Sequence, residues 1–305
     1  MKNDQGVILY IGQICNNDCI MCSVHGNNEH KTDYSILKNK LIRRREETDC
    51  LSFTGGEPTE HPDIIKLFKE ANRLNYKNII ISTNGRNFAD KKFADKLANL
   101  GLKHANIAIH GPKEIHNEII QKKGYEEALQ GLKNLLNNGV KIRLDSVLLK
   151  RNIDHLKKIW EDVYGLGVRE IGVIDLIPEG GHVDFSELMV SYTEKKDFFY
   201  KHLSYLRKIK MFYTVNFTRC ILPVQLPNNF LNTTTYQKEN DWTFDGLNNK
   251  GRSALKKKIN ICKKCPYKKN CFGFRKDNLK EFGEKNIKKM LKSDDFIRKS
   301  KKILT

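Results

Sequence analysis

Val7-Ile8-Leu9-Tyr10-Ile11-Gly12-Gln13-Ile14 runs directly into Cys15-Asn16-Asn17-Asp18-Cys19-Ile20-Met21-Cys22. The apolar part reads as a strand. Tyr10, Gly12 and Gln13 interrupt it and no small-residue cleavage site follows, so a signal peptide is not expected. The second part is C-x3-C-x2-C, three thiols just past a strand end. A loop this short can wrap three thiolates round one metal centre. On a four-iron cube, three protein ligands leave one iron open, as a catalytic metal needs, whereas a structural site is closed. Spacing alone keeps a second reading open, a zinc site completed by His25 or His30.

Outward from this loop, apolar runs alternate with helix-like segments. Strands are expected at 51–54, 78–82, 105–110, 141–149 and 170–177, and helices at 35–45, 62–74, 88–100, 125–137 and 154–166. Strand–helix units in series mean a parallel sheet with right-handed crossovers. The pattern itself does not separate an open doubly wound sheet from a partial barrel. The second strand closes on Phe53-Thr54-Gly55-Gly56-Glu57-Pro58. Paired glycines allow close approach to the backbone, and the Glu57 carboxylate can accept from an amino group. The C-terminal ends of parallel strands are where ligands bind.

Together these residues resemble the radical S-adenosylmethionine superfamily. The resemblance covers roughly residues 1–180: the cysteine loop, Gly55-Gly56-Glu57-Pro58, Ser82-Thr83-Asn84-Gly85-Arg86 and Ile107-Ala108-Ile109-His110-Gly111. It implies an α/β fold, a partial six-stranded TIM-like (β/α) barrel, with the site at its mouth. It implies a 4Fe–4S cluster on Cys15, Cys19 and Cys22, and S-adenosylmethionine chelating the open iron. Gly55, Gly56 and Glu57, with Pro58 beside them, match the segment that holds the amino group of that cofactor. Asn84 and His110 are further candidate cofactor contacts. The implied chemistry is reductive cleavage to a 5′-deoxyadenosyl radical, which takes hydrogen from an unactivated C–H bond. A reducing partner such as flavodoxin or ferredoxin goes with it. Two positions depart from the pattern: Met21, where an aromatic residue is frequent, and Ala108, where serine is frequent.

Beyond residue 190 the rhythm changes. A long helix is expected at 192–210 and a strand at 211–217, then an irregular stretch to 261. Cys262, Cys265 and Cys271 form C-x2-C-x5-C, and Cys220 is the candidate fourth ligand. Four thiolates close a site, and spacing allows either zinc or 4Fe–4S. The pattern resembles the auxiliary-cluster regions behind radical S-adenosylmethionine barrels, of the single-cluster type called twitch, which implies a second 4Fe–4S cluster. Cys50 remains over, read as a small core residue. The expected organisation is a barrel at 1–190, an auxiliary-cluster region at 191–275 and a basic tail at 276–305.

The 305 residues are 39% hydrophobic, with 20 Gly and 7 Pro, which excludes a disordered or collagenous chain. Lys and Arg number 55 against 36 Asp and Glu, a net charge of +19; residues 250–305 carry +15 of it. No apolar run is long enough to span a membrane, and a cytoplasmic location is expected. The basic end suits an acidic peptide substrate, with a small biosynthetic intermediate as alternative and RNA not favoured, because no RNA-binding module is recognisable. The reading of a different class is a non-catalytic zinc-ribbon protein that binds nucleic acid. Basicity and C-x2-C suit it; Gly-Gly-Glu-Pro and the strand–helix units do not.

Overall fold

The computed structural model describes residues 6–23, 30–179, 184–223, 230–232, 242–245, 255–265, 267–269 and 271–292. His25 and the end of the basic tail lie outside them. Nine strands form one sheet: β1 (Gly6–Tyr10), β2 (Cys50–Thr54), β3 (Asn78–Thr83), β4 (Leu102–Ala108), β5 (Lys141–Leu148), β6 (Glu170–Asp175), β7 (Met211–Val215), β8 (Phe230–Asn232) and β9 (Trp242–Asp245). The spatial order is β8-β7-β6-β5-β4-β3-β2-β1-β9 and every neighbouring pair is parallel. The edges β8 and β9 do not pair with each other, so the sheet is a partial barrel and not a closed one.

Six expected strands are therefore too few. β7 continues the sheet past residue 190, and β8 and β9 extend both edges from a stretch that reads as irregular. Helices α1 (Tyr34–Arg45), α2 (Ile64–Arg73), α3 (Lys91–Asn99), α4 (Lys113–Ile120), α5 (Tyr125–Asn137) and α6 (Leu156–Gly165) connect the first six strands. α4 carries no strong sequence signal and was not expected. Right-handed crossovers put the connecting helices on one face. That face is apolar: Leu51, Phe53, Ile79, Ile81, Ala105, Ile107, Leu144, Ile171 and Val173 are fully buried in one continuous core. Alternate residues point to the concave face, where polar side chains collect.

Two further helices complete the chain. α7 (Tyr192–Leu206) begins with a capping box: Ser191 Oγ accepts from Glu194 N, and Glu194 Oε2 accepts from Ser191 N at 2.8 Å. α8 (Lys276–Lys292) is broken at Gly283, whose φ is +69°. Lys195 and Lys196 of α7 are buried. Lys195 pairs with buried Asp175 at 2.6 Å, and Lys196 Nζ donates to Met290 O at 3.0 Å. No described helix is long and apolar enough to cross a membrane.

Helical spacing puts Ile287, Met290 and Leu291 on one side of the basic end, and all three are buried in the core. A truncation at residue 285 therefore removes core, not only charge. Each such side chain contributes about 1.5–3 kcal/mol as an upper bound. A chain ending at residue 284 is expected to lose several kcal/mol, measured by urea denaturation.

Candidate active site

The cysteine loop is fixed by backbone contacts before any side chain is considered. Gly56 N donates to Gly12 O at 2.8 Å and Glu57 N to Ile14 O at 2.7 Å. On the other side, Gln13 N donates to His30 O at 2.6 Å. The backbone at 12–14 thus lies between two strands of chain. A Cβ at Gly55 would collide with Gly12 O, and one at Gly56 with the carbonyl oxygens of Gln13 and Ile14. The glycine pair is required by the cysteine loop itself. The carbonyl oxygens of Gly55 and Gly56 accept no hydrogen bond among the described residues and remain open to a donor.

Glu57 has a structural task beside the one its sequence suggests. It is buried, and its Oε1 accepts from Thr59 N at 3.0 Å, Thr59 Oγ1 at 2.6 Å and Thr83 Oγ1 at 2.7 Å. Its Oε2 accepts from Asn84 N at 2.6 Å. Burial raises its pKa and these hydrogen bonds oppose the rise. The carboxylate ties the end of β2 to the end of β3. Pro58 starts the buried turn Pro58–Glu60.

Asn84 is also engaged with the protein. Its Nδ2 donates to Asn16 Oδ1 at 2.6 Å, and its Oδ1 accepts from Arg86 N at 3.0 Å. Arg86 Nη1 donates to Asn16 O at 2.6 Å and to Asn17 Oδ1 at 2.9 Å, and its Nε pairs with Glu127. Glu60 Oε1 accepts from Asn16 Nδ2 at 2.9 Å and from Asn87 Nδ2 at 2.7 Å. Asn16, Asn17, Glu60, Arg86 and Asn87 are thus site residues that sequence reading missed. Nothing in their spacing signals them, because they meet only when β2 and β3 lie side by side.

His110 lies just past β4, buried. Its Nδ1 accepts from Val147 N at 3.3 Å and its carbonyl from Asn152 Nδ2 at 2.8 Å. With Nδ1 as acceptor, the proton resides on Nε2. Its ring stacks on His116 at 5.7 Å, and burial pushes its pKa down to about 4. His110 is a neutral residue that joins β4 to β5.

Cys15, Cys19 and Cys22 form no disulfide and are half-buried. Burial pushes the Cys15 thiol up to about 11 and raises Cys19 further; charge on either neighbouring cysteine adds to the rise in Cys19. Thiols that disfavour charge in isolation, as Cys15 and Cys19 do, suit a cationic metal centre, which deprotonates its ligands on binding. Cys220 is buried in the turn after β7. Burial raises its thiol pKa, and Cys271, Cys265 and Cys262 each raise it further, so the fold brings these four together. Arg219 lies over the Tyr267 ring at 4.8 Å beside them. Cys50 is half-buried at the start of β2, apart from both groups. Among the described residues, no three His, Cys, Asp or Glu side chains converge closely enough to hold a single metal ion.

A family model described as the radical SAM superfamily matches residues 9–163, just over half of the chain. The chain belongs to that superfamily, whose members use a 4Fe–4S cluster and S-adenosylmethionine, and it is an enzyme. Among curated relatives, a probable GTP 3′,8-cyclase of Saccharolobus solfataricus is 30% identical over 181 residues, 57% of this chain and 58% of the relative. One from Saccharolobus islandicus is 29% identical over 182 residues, with the same coverage. The match spans less than two thirds of these relatives' length. Among solved structures, Streptococcus suis SuiB bound to S-adenosylmethionine superposes with a TM-score of 0.65 at 14% identity, over 90% of this chain and 74% of SuiB. The anSMEcpe structure with bound AdoMet gives 0.56 at 18% identity, over 67% and 60%. Both likenesses concern the fold.

The glycine contacts give a direct test. Gly56→Ala is expected to displace the cysteine loop. After anaerobic reconstitution, the variant should bind about four fewer irons than the parent, one cube's worth. Far-UV circular dichroism should stay unchanged. Full iron loading in the variant would show that the loop does not need the glycine.

Proposed function

We propose that this enzyme cleaves S-adenosylmethionine at the mouth of its partial barrel and takes a hydrogen atom from a C–H bond of a peptide. The observation that carries the first part is the cysteine loop locked against Gly55 and Gly56 at the C-terminal ends of β1 and β2. When bound and reduced, the cluster and S-adenosylmethionine together supply a 5′-deoxyadenosyl radical. Cys15, Cys19 and Cys22 hold the cluster in this reading. The open carbonyl oxygens of Gly55 and Gly56, with Glu57 beside them, take the cofactor's amino group. The half-buried network of Asn16, Asn84, Arg86 and Glu60 holds the loop in place throughout. A small electron carrier of the flavodoxin or ferredoxin type delivers the electron.

Cys220, Cys262, Cys265 and Cys271 hold a second 4Fe–4S cluster in the same reading. A lone zinc ion draws its thiolates to about 2.3 Å from one point, whereas a cube spreads them over separate irons. Four protein ligands close the cube, so it serves electron transfer or stability. The peptide part rests on the likeness to SuiB, which extends over 90% of this chain, and on a SuiB structure that holds a precursor peptide. A nucleotide or other small-molecule substrate is the second reading, favoured by the relatives named as GTP 3′,8-cyclases.

Anaerobically reconstituted protein is expected to carry about eight irons and eight sulfides. About four irons with one zinc would remove the second cluster. Cys19→Ala should keep about four irons and release no 5′-deoxyadenosine with dithionite. Release at the parent rate would refute the cysteine assignment.

A further inference from the structure

The C-terminal cysteines lie in a stretch of one-sided charge. From Lys257 to Lys269, six of thirteen residues are lysine and none is acidic. The backbone here runs through short turns in series. Cys262 N donates to Ile259 O at 2.9 Å, Cys265 N to Cys262 O at 3.1 Å and Lys268 N to Cys265 O at 3.2 Å. The stretch closes on itself, because Lys258 Nζ donates to Lys268 O at 2.7 Å. These turns sort the side chains. Cys262, Cys265 and Tyr267 pack against the core, whereas Lys263, Lys264, Lys268 and Lys269 are exposed. Thiols turn inward and ammonium groups outward along the same thirteen residues.

Lysine is abundant over the whole chain, so its number alone says little. On the barrel helices, however, lysines are interspersed with carboxylates. Lys66 pairs with Asp63, Lys91 with Asp95, Lys113 with Glu126 and Lys158 with Asp162. Round the cysteines, Lys257 reaches Glu284 at 4.0 Å, whereas Lys263, Lys264, Lys268 and Lys269 form no ion pair with a described residue. A patch of one sign draws a partner of the other sign and speeds its encounter. Phe272, next to Cys271, is 45% exposed, an apolar spot beside the charged shell. An apolar centre with a charged rim is the anatomy of a small, transient protein interface.

Charge by itself suits an acidic protein, an acidic peptide or a nucleic acid, and position chooses among them. A substrate segment is wanted at the barrel mouth, beside the loop of Cys15, Cys19 and Cys22. Single-stranded nucleic acid is held by several aromatic platforms, and Phe272 is the one exposed aromatic residue described in this stretch. An electron carrier is wanted close to the redox group it serves. The lysine shell flanks Cys262 and Cys265, which are themselves half-buried and near the surface.

We infer that the shell of Lys263, Lys264, Lys268 and Lys269, with Phe272 at its side, docks an acidic one-electron carrier protein. The inference rests on the reading of Cys220, Cys262, Cys265 and Cys271 as cluster ligands and names the face on which the carrier sits. The carrier gives up one electron and is oxidised, the enzyme takes up that electron, and no bond or proton changes hands.

The test uses the full chain with its clusters, kept anaerobic, and two acidic probes, a flavodoxin and a 2Fe–2S ferredoxin. Bound carrier should shield Lys263, Lys264, Lys268 and Lys269 from acetylation, read by mass spectrometry, while exposed Lys92 and Lys96 on α3 keep their full reactivity. In calorimetry, Lys264→Glu with Lys268→Glu and Lys269→Glu should weaken carrier binding at least about tenfold, and Gln at the same three positions by less. Lys92→Glu with Lys96→Glu and Lys103→Glu, an equal charge change elsewhere, should stay within about twofold of the parent. No shielding by either carrier, or equal shielding of Lys92 and Lys96, overturns the inference without need of a variant. So does parent affinity in the first triple variant, or an equal loss in the second. A Glu-rich peptide or a single-stranded RNA that shields the same lysines and displaces both carriers also overturns it, in favour of that partner. Iron is measured on the same samples: about four irons in the parent would refute the second cluster, whatever the lysines bind.

Discussion

The site depends on one close approach of backbone to backbone. The chain at Gly12–Ile14 lies against Gly55–Glu57 through two amide hydrogen bonds, and no side chain larger than hydrogen fits at positions 55 and 56. From this contact the restraint spreads. Glu57 reaches Thr83 and Asn84, Asn84 reaches Asn16, and Arg86 returns to Asn16 and Asn17. Three strand ends and the cysteine loop are held in one network centred on the buried Glu57 carboxylate. Hydrogen bonds to a buried carboxylate are among the stronger ones, about 1.5–3 kcal/mol each. A loop held this way meets its cofactor with little ordering left to do.

The far end of the chain is attached by a second set of buried polar contacts. Lys195 joins Asp175 on β6 and also donates to Asn278 on α8. Lys196 reaches Met290 O, and Thr193 Oγ1 donates to Asn286 Oδ1 at 2.6 Å. One face of α7 thus binds both the barrel and the C-terminal helix. Removing one member of a buried ion pair costs about 3–5 kcal/mol, because the other charge is left unmatched. The four C-terminal cysteines lie beside this junction: Cys220 follows β7, Thr218 Oγ1 donates to Gly273 O at 3.1 Å, and Tyr192 Oη accepts from Arg275 N at 2.9 Å. The two cysteine groups are therefore parts of one packed body, and the lysine-rich end is anchored by its apolar side.

The sequence by itself determined the strand–helix alternation, the parallel sheet, both cysteine groups and the superfamily. Those features are local: a period of two or 3.6, a glycine pair, a cysteine spacing. It also placed Ile287, Met290 and Leu291 on one helix side, as found. It did not determine what meets what across the sheet. Glu57 reads as a ligand for an amine; that it also brackets two strands is not legible, because Thr83 and Asn84 reach it only when β3 pairs with β2. His110 reads as a cofactor contact; that it also links to Val147 and Asn152 appears only in the fold. β8 and β9 lack a strand-like pattern; edge position in the sheet, not propensity, makes them strands. The register row Ser82–Asn106–Arg143–Glu170 across β3 to β6 is invisible along the chain, since each member comes from a different strand. Alternation fixes which face a side chain takes, but only the register of parallel pairing, set by distant packing, decides which side chains become neighbours.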